Sequence, residues 1–155
     1  MAGRGEAEHT VATNRKASHD YELLERVEAG IQLTGDEVKS LRQGRASLVD
    51  CFGRIRDGEM WLEGMHVPPY EQGDKRTYQP LRPRELLLHR DEIEHLDAEL
   101  RERGYTLVPL RVYFTHGIAK VELALARGKR RYEKRQAIAK REAQREIEQA
   151  AGRRR

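Results

Sequence analysis

Cysteine is nearly absent from this chain: Cys51 is the only one among 155 residues, so no disulfide forms within it. That usage fits a reducing compartment. Aromatic residues are scarce, at 6% with two Phe and one Trp, so the core must be built from aliphatic side chains. No apolar run approaches the ~18 residues that span a bilayer, and mean hydropathy is −0.87. Met1 to Glu6 lack the apolar stretch of a signal peptide, so the expected location is cytoplasmic, with no membrane partner.

Chemistry is missing as well. There is no GxSxG, no Walker loop and no GxGxxG. His9, His19, His66, His89, His95 and His116 are scattered, without HxxxH, HExxH or Cys–His pairing. Cys51 lies within a strand pattern without a local base and reads as a packed side chain, not a nucleophile. The acid pairs Asp36-Glu37 and Asp91-Glu92 fall at helix starts, where the helix dipole accounts for them. No catalytic residue, metal ligand or cofactor is therefore expected. A small nuclease using His89 or His116 is the alternative from the enzyme class.

Charge is what the chain has in quantity, and it is unevenly placed. Residues 1–126 hold 18 Lys+Arg against 22 Asp+Glu, a balance of −4, whereas residues 127–155 hold 12 against 4, a balance of +8. A near-neutral body with a basic tail is the layout of a folded domain carrying a polyanion-binding arm. Charge alone leaves a solubilising tail equally open. Between Arg127 and Arg135 the cations surround one aromatic, Tyr132. Cations neutralise phosphate and a ring stacks on an unpaired base. If the segment from Lys134 onward is helical, Lys134, Arg141 and Arg145 share a face, with Arg130 extending it on the preceding turn.

The pattern along the chain predicts mainly β structure with helices. Residues 1–13 are small and polar and are expected to be a disordered lead. Tyr21–Leu33 matches a helical stripe and a strand about equally, with Gly30-Ile31-Gln32-Leu33 favouring strand at its end. Thr34-Gly35-Asp36-Glu37 opens a short helix that stops at Gly44. Leu48–Arg56 and Glu59–Val67 form a hairpin about Asp57-Gly58. Residues 68–83 make a long Pro-containing loop, of a length that is usually functional or mobile. Glu85–His89 reads as a short buried strand and Asp91–Arg103 as a helix capped by Gly104. A second hairpin joins Tyr105–Thr115 to Ile118–Ala126 about His116-Gly117, with Pro109 at a bulge or edge. Short strands with turn signals point to a small barrel or sandwich. Residues 128–155 are a basic tail, expected to be disordered until bound.

Four blocks in order carry a resemblance. They are Asn14-Arg15-Lys16-Ala17 with Tyr21; Glu28 through Arg42, with its Ala-Gly-Ile-Gln-Leu-Thr-Gly run; Arg84-Glu85-Leu86-Leu87-Leu88-His89; and Gly104 to Leu110 continuing through Lys120 to Arg135. Over about residues 14–142 the chain closely resembles the SsrA-binding protein family of bacterial trans-translation, also called small protein B. The resemblance implies a six-stranded antiparallel OB-fold-like β-barrel with flanking α-helices over residues 14–127, which makes Tyr21–Leu33 largely strand. It implies no enzymatic activity. It implies binding to the tRNA-like domain of transfer-messenger RNA, delivery of that RNA to stalled ribosomes alongside elongation factor Tu, and a monomeric protein. The tail, by the same resemblance, enters the empty mRNA channel of the ribosome and turns helical there.

Residue by residue, the resemblance places RNA contacts at Asn14, Arg15, Lys16, Tyr21, Glu28 and Lys120, with Leu87 in the leucine run that shapes that surface. It places the start of the tail at Gly128, Lys129 and Arg130. Tyr132, Lys134, Arg135 and Arg141 fall toward ribosomal RNA near the decoding centre. The chemistry of three of these agrees independently: Lys120 pairs with phosphate, Tyr21 stacks, and a Glu28 carboxylate accepts from a base edge or sugar hydroxyl. A strand-surface ion pair is the plainer reading of Glu28. The chain departs from the family at three places. Asp36 replaces the usual Thr before Glu37, an expected change of helix cap only. Glu85 stands where Lys is usual and puts an RNA contact there in doubt. Beyond Arg145 the likeness fades.

Overall fold

The computed structural model describes residues 8–129 and 142–149. The elements run β1 (Glu8–Thr13), α1 (Ala17–Asp20), β2 (Tyr21–Ile31), α2 (Gly35–Arg42), β3 (Phe52–Arg56), β4 (Glu59–Glu63), β5 (Arg84–Leu87), α3 (Arg90–Arg103), β6 (Thr106–Thr115) and β7 (Ile118–Gly128). The fold is mixed, with one seven-stranded antiparallel sheet and flanking helices. Hydrogen-bonded neighbours follow the order β1-β6-β3-β4-β5-β2-β7, and β6 also pairs with β7.

Local chemistry explains most of these elements. Both hairpin turns hold two successive residues at positive φ, Asp57 and Gly58 at 54° and 78°, His116 and Gly117 at 51° and 77°. That is the type I′ geometry whose twist matches the flanking strands. The register shifts between Pro109 and Arg111, so Pro109 does sit at a bulge. Thr34 caps α2 as half of a capping box, with its hydroxyl accepting from the Glu37 N–H and the Glu37 carboxylate accepting from the Thr34 N–H at 2.9 Å. Gly104 ends α3 in the left-handed conformation at φ 66°.

Inward positions of the strands meet in one aliphatic core that includes Leu62, Met65, Leu86, Leu107, Val112, Val121 and Leu123. Leu41 from α2 and Leu96 from α3 are buried in the same cluster. A second, small cluster lies apart: Ala17 of α1, with Val108, Ala124 and Ala126, and Tyr21 and Leu23 packed partly against it.

Three expectations need correction. There are seven strands, not six, because residues 8–13 of the supposed lead form β1 on the edge of β6. Its apolar content is small, and what orders it is the backbone ladder to Arg111–Thr115 plus contact of Val11 and Ala12 with the core. The first hairpin is shorter than its pattern, since the chain bends at Asp50 (φ 59°) and Gly64 (φ 90°). The cap of α2 is Thr34, so Asp36 is not a cap; it abuts Gly73 of the long loop, where an added Cβ would lie 2.5 Å from its Oδ2. Within the basic tail, residues 142–149 are helical. Helix-forming residues there, Glu, Ala, Gln and Arg, account for it.

The long loop is also held more firmly than its composition suggests. Ser40 Oγ donates to Pro68 O at 2.6 Å, and Tyr78 Oη to Val67 O at 2.7 Å. Beneath it lies a buried ion cluster. Arg84, fully buried, donates from Nε to Glu37 Oε2 at 2.5 Å and from Nη1 to Met65 O at 2.7 Å, while Arg82 donates to Glu37 Oε1 at 2.5 Å.

Candidate nucleic-acid interface

Three of the expected RNA-contacting residues converge on one groove. In the sheet, Gly30 of β2 is paired on one side with Leu87 of β5 and on the other with Lys120 of β7, which in turn is opposite Tyr113 of β6. Neighbouring strands lie about 4.8 Å apart, so Leu87, Gly30, Lys120 and Tyr113 form one row across four strands. Gly30 has no side chain, and the row dips there between Leu87 and Lys120. An added Cβ would come within 3.4 Å of Leu87 Cβ and fill that dip. Glu28 stands on the same face, two residues before Gly30. The resulting groove, of about 460 Å³, is lined by Glu28, Leu87, Lys120, Glu85, His89 and Glu92 among others. Leu87 is 55% exposed in it, a large apolar side chain left uncovered by the fold.

Glu28 is held as an anion. Tyr113 donates its hydroxyl to Oε2 and Lys120 Nζ donates to Oε1 at 3.0 Å. The Tyr113 hydroxyl and then the Lys120 ammonium hold its carboxyl below the usual carboxylate range, against the opposing effect of burial. Burial and the Glu28 carboxylate together push the Tyr113 phenol upward, so it stays a donor. The Arg111 guanidinium lies 4.0 Å from the Tyr113 ring centroid and pairs with Glu8 at 2.6 Å. Glu28 is thus an ion pair on the strand surface, as its plainer reading has it. It is also a charged acceptor at the rim of a groove, and the two descriptions fit together.

The other expected residues lie elsewhere. Asn14 is a fastener: its side-chain amide donates to Pro109 O at 3.0 Å and its N–H to Leu110 O at 2.7 Å, gripping β6 at the bulge. Arg15 and Lys16 are exposed, Lys16 preceding α1 as its N-cap residue. Tyr21 is half-buried against the small alanine-rich cluster. Gly128 ends β7 opposite Tyr21, and Lys129 Nζ donates to Ser18 O at 3.1 Å. The root of the tail therefore rests beside the Asn14–Tyr21 segment. Arg130, Tyr132, Lys134, Arg135 and Arg141 lie outside the described residues.

Sequence reasoning missed Tyr113, whose hydroxyl does most to hold the Glu28 carboxyl below the usual range, and Arg111, which lies against the Tyr113 ring. The alternation Arg111-Val112-Tyr113-Phe114 was the available signal, since it puts Arg111 and Tyr113 on the face opposite the core-facing Val112 and Phe114. It also missed the Glu37–Arg84 pair. Cys51 is buried, and burial pushes its thiol up to about 12, which leaves it inert as a nucleophile. Among the described residues no group of three or more His, Cys, Asp or Glu is placed to hold a metal, and no helix is long and apolar enough to cross a membrane.

The fold and this groove define a class: a small antiparallel β-domain of OB-like build whose polar surface is made for binding. The chain belongs to the SmpB protein family, whose model matches residues 11–153. Members of this family are RNA-binding proteins without catalytic activity. The SsrA-binding protein of Thermobifida fusca is 59% identical over 152 residues, covering 98% of this chain and 95% of that protein. Those of Desulforudis audaxviator and Acidothermus cellulolyticus are 60% identical over 146 residues (94% of this chain, 95% of that protein) and 61% over 144 (93% and 91%). A chain of the solved structure "tmRNA-SmpB: a journey to the center of the bacterial ribosome" is 50% identical, with a TM-score of 0.64 over 76% of this chain and 83% of that one.

Proposed function

We propose that this chain binds the tRNA-like domain of transfer-messenger RNA and delivers it to stalled ribosomes for trans-translation, without catalysing a reaction. The observation that carries this reading is the Leu87–Gly30–Lys120 row with Glu28 beside it. An apolar side chain, a dip, a cation and a charged acceptor stand side by side, which suits a folded RNA presenting an unpaired nucleotide. Glu28 accepts from base N–H groups or a 2′-hydroxyl, Lys120 meets the adjoining phosphate, and Leu87 packs against a base face. Membership of the SmpB family supports the assignment, as do relatives named for binding SsrA.

Several finer features belong to the same proposal. Six of the strands, β6-β3-β4-β5-β2-β7, act as a closed barrel of the OB type, a reading that the additional β6–β7 pairing supports. Asn14 positions the segment from which Arg15, Lys16 and Tyr21 meet RNA. The protein acts in the cytoplasm as a monomer, alongside elongation factor Tu. The tail, from Gly128 and Lys129 through Arg130, Tyr132, Lys134, Arg135 and Arg141, meets ribosomal RNA near the decoding centre and in the mRNA channel, as a helix when bound.

A general ribosomal-RNA binder fits less well. Generic binding rests on phosphate neutralisation, whereas the groove carries Glu28, Glu59, Glu85 and Glu92 against Lys120. A gel shift with the tRNA-like domain, competed by ordinary tRNA, decides. Selective retention of the tRNA-like domain is expected, and Glu28→Gln or Lys120→Ala should weaken it by about tenfold (one lost charged contact is worth ~1.5–3 kcal/mol). Equal competition by ordinary tRNA would end the specificity claim.

A further inference from the structure

Tyr113 is 2% exposed, so a bound RNA does not reach it. Its hydroxyl nevertheless ends on Glu28, whose side chain is half exposed at the rim of the groove. Glu28 lies on β2 and Tyr113 on β6, and β7 runs between them, paired with both. The phenol therefore crosses β7 to reach the Glu28 carboxylate.

The aim of that phenol is fixed from the far side. The Arg111 guanidinium carbon lies 4.0 Å from its ring centroid, where a cation is favourable. Arg111 is held there by β1: it pairs with Glu8 at 2.6 Å and donates to Thr10 Oγ1 at 3.5 Å. The ring is thus covered by a side chain that the edge strand keeps in place.

The Tyr113 contact also decides what Lys120 does. Lys120 Nζ sits 3.0 Å from Glu28 Oε1. Glu122, the next outward residue of β7, is within 3.9 Å of both Arg26 and Arg111, so its charge is engaged elsewhere. Glu28 is then the anion that competes with a phosphate for Lys120. A carboxylate free to turn would set both oxygens against the ammonium. With Oε2 tied to Tyr113, Glu28 offers Lys120 only Oε1. An ammonium has three donors, and a carboxylate has about four lone-pair sites. Both groups therefore keep capacity for a ligand.

We infer that Tyr113 is a positioning residue for RNA recognition, which pins the Glu28 carboxylate so that Lys120 stays available to a phosphate. This rests on the proposed function, in which Glu28 and Lys120 meet the RNA. The pair is arranged before the RNA arrives, so binding loses little entropy in ordering it.

Tyr113→Phe removes the hydroxyl and keeps the ring under Arg111. The full chain, Tyr113→Phe, Glu28→Gln and the double variant are titrated with the tRNA-like domain over a salt series, and urea midpoints are recorded for each. Tyr113→Phe should weaken binding about five- to tenfold. It should also flatten log K against log salt by up to about one, because a phosphate contact is lost to the internal pair. Glu28→Gln weakens binding without flattening the slope, since no carboxylate remains to capture Lys120. In the double variant, loss of the hydroxyl should add less than about twofold to the effect of Glu28→Gln. A tyrosine that only supports the fold would lower the urea midpoint, leave the slope alone, and add its full effect to that of Glu28→Gln. That pattern, or unchanged binding by Tyr113→Phe, would overturn the inference.

An NMR titration of the Glu28 carboxyl, in the full chain without RNA, separates this from the proposed function. Tyr113, then Lys120 and Arg111 favour the charged form, while Glu122 stands opposite Glu28 and Glu59, Glu85, His89 and Glu92 line the same groove. Loss of the Tyr113 hydroxyl should raise the midpoint, and an unmoved midpoint overturns the pinning whatever the RNA data. If the unmodified chain shows no preference for the tRNA-like domain while the midpoint still moves, the proposed function fails and the pinning stands.

Discussion

Glu37 and Arg84 are 47 residues apart in sequence and form the most buried polar contact in the chain. Burial alone pushes the Glu37 carboxyl up, but the Thr34 N–H and the Arg82 and Arg84 guanidinium groups outweigh it and hold it below the usual range. A carboxyl whose folded pKa lies below its unfolded value stabilises the protein fully above about pH 5, and this is lost as pH falls through the folded value. Glu37→Gln strands the Arg84 guanidinium without an anion. Removing one partner of a buried pair costs about 3–5 kcal/mol. Urea unfolding at pH 7 should register that loss, and the gap between variant and parent should narrow toward pH 3. A constant gap over this range would show that the pair is not the source. Nothing local in the sequence announces such a pair. The same is true of Glu28 and Lys120, 92 residues apart. Family likeness alone named them, while their meeting beside Gly30 needed the strand register.

At the scale of elements, what the sequence made legible was local. Asp57-Gly58 and His116-Gly117 declare their turns because the required positive φ sits in the residues themselves. Thr34 and Glu37 declare the start of α2 for a similar reason, three residues apart. β1 was not legible, because its order comes from a ladder to Arg111–Thr115, about a hundred residues away. Nor was the anchoring of the long loop, whose partners are Ser40, Glu37 and Val67. Glycines separate the two kinds of constraint. At Gly58 an added Cβ meets open space, whereas at Gly64 it would lie 2.8 Å from Asp50 O. Gly58→Ala should therefore cost only the left-handed conformation, about 1 kcal/mol. Gly64→Ala adds a backbone collision and should cost about 2–3 kcal/mol, read as a larger drop in urea midpoint. Equal midpoints would mean that the bend at residues 50 and 64 moves freely.

Across the whole molecule, charge is divided between a body at −4 and a terminal stretch at +8, so the two parts must contribute differently to binding. An acid-lined groove discriminates through shape and hydrogen bonds, which salt affects weakly. A cationic tail adds affinity for any phosphate backbone, which salt weakens steeply. Residues 130–155 carry 10 Lys+Arg against 4 Asp+Glu, and removing them leaves the Lys129–Ser18 contact in place. The truncated chain should bind all RNAs less tightly at low salt and show a shallower salt slope. Its preference for the tRNA-like domain over ordinary tRNA should persist, while tagging of nascent chains on stalled ribosomes is lost. The proposed function assigns selectivity to the body, where the groove lies, and ribosomal action to the tail, since the body alone has no excess of positive charge. Were the preference to vanish along with the tail, recognition would have to reside in the cationic segment, and the row from Leu87 to Lys120 would be no more than a feature of the sheet.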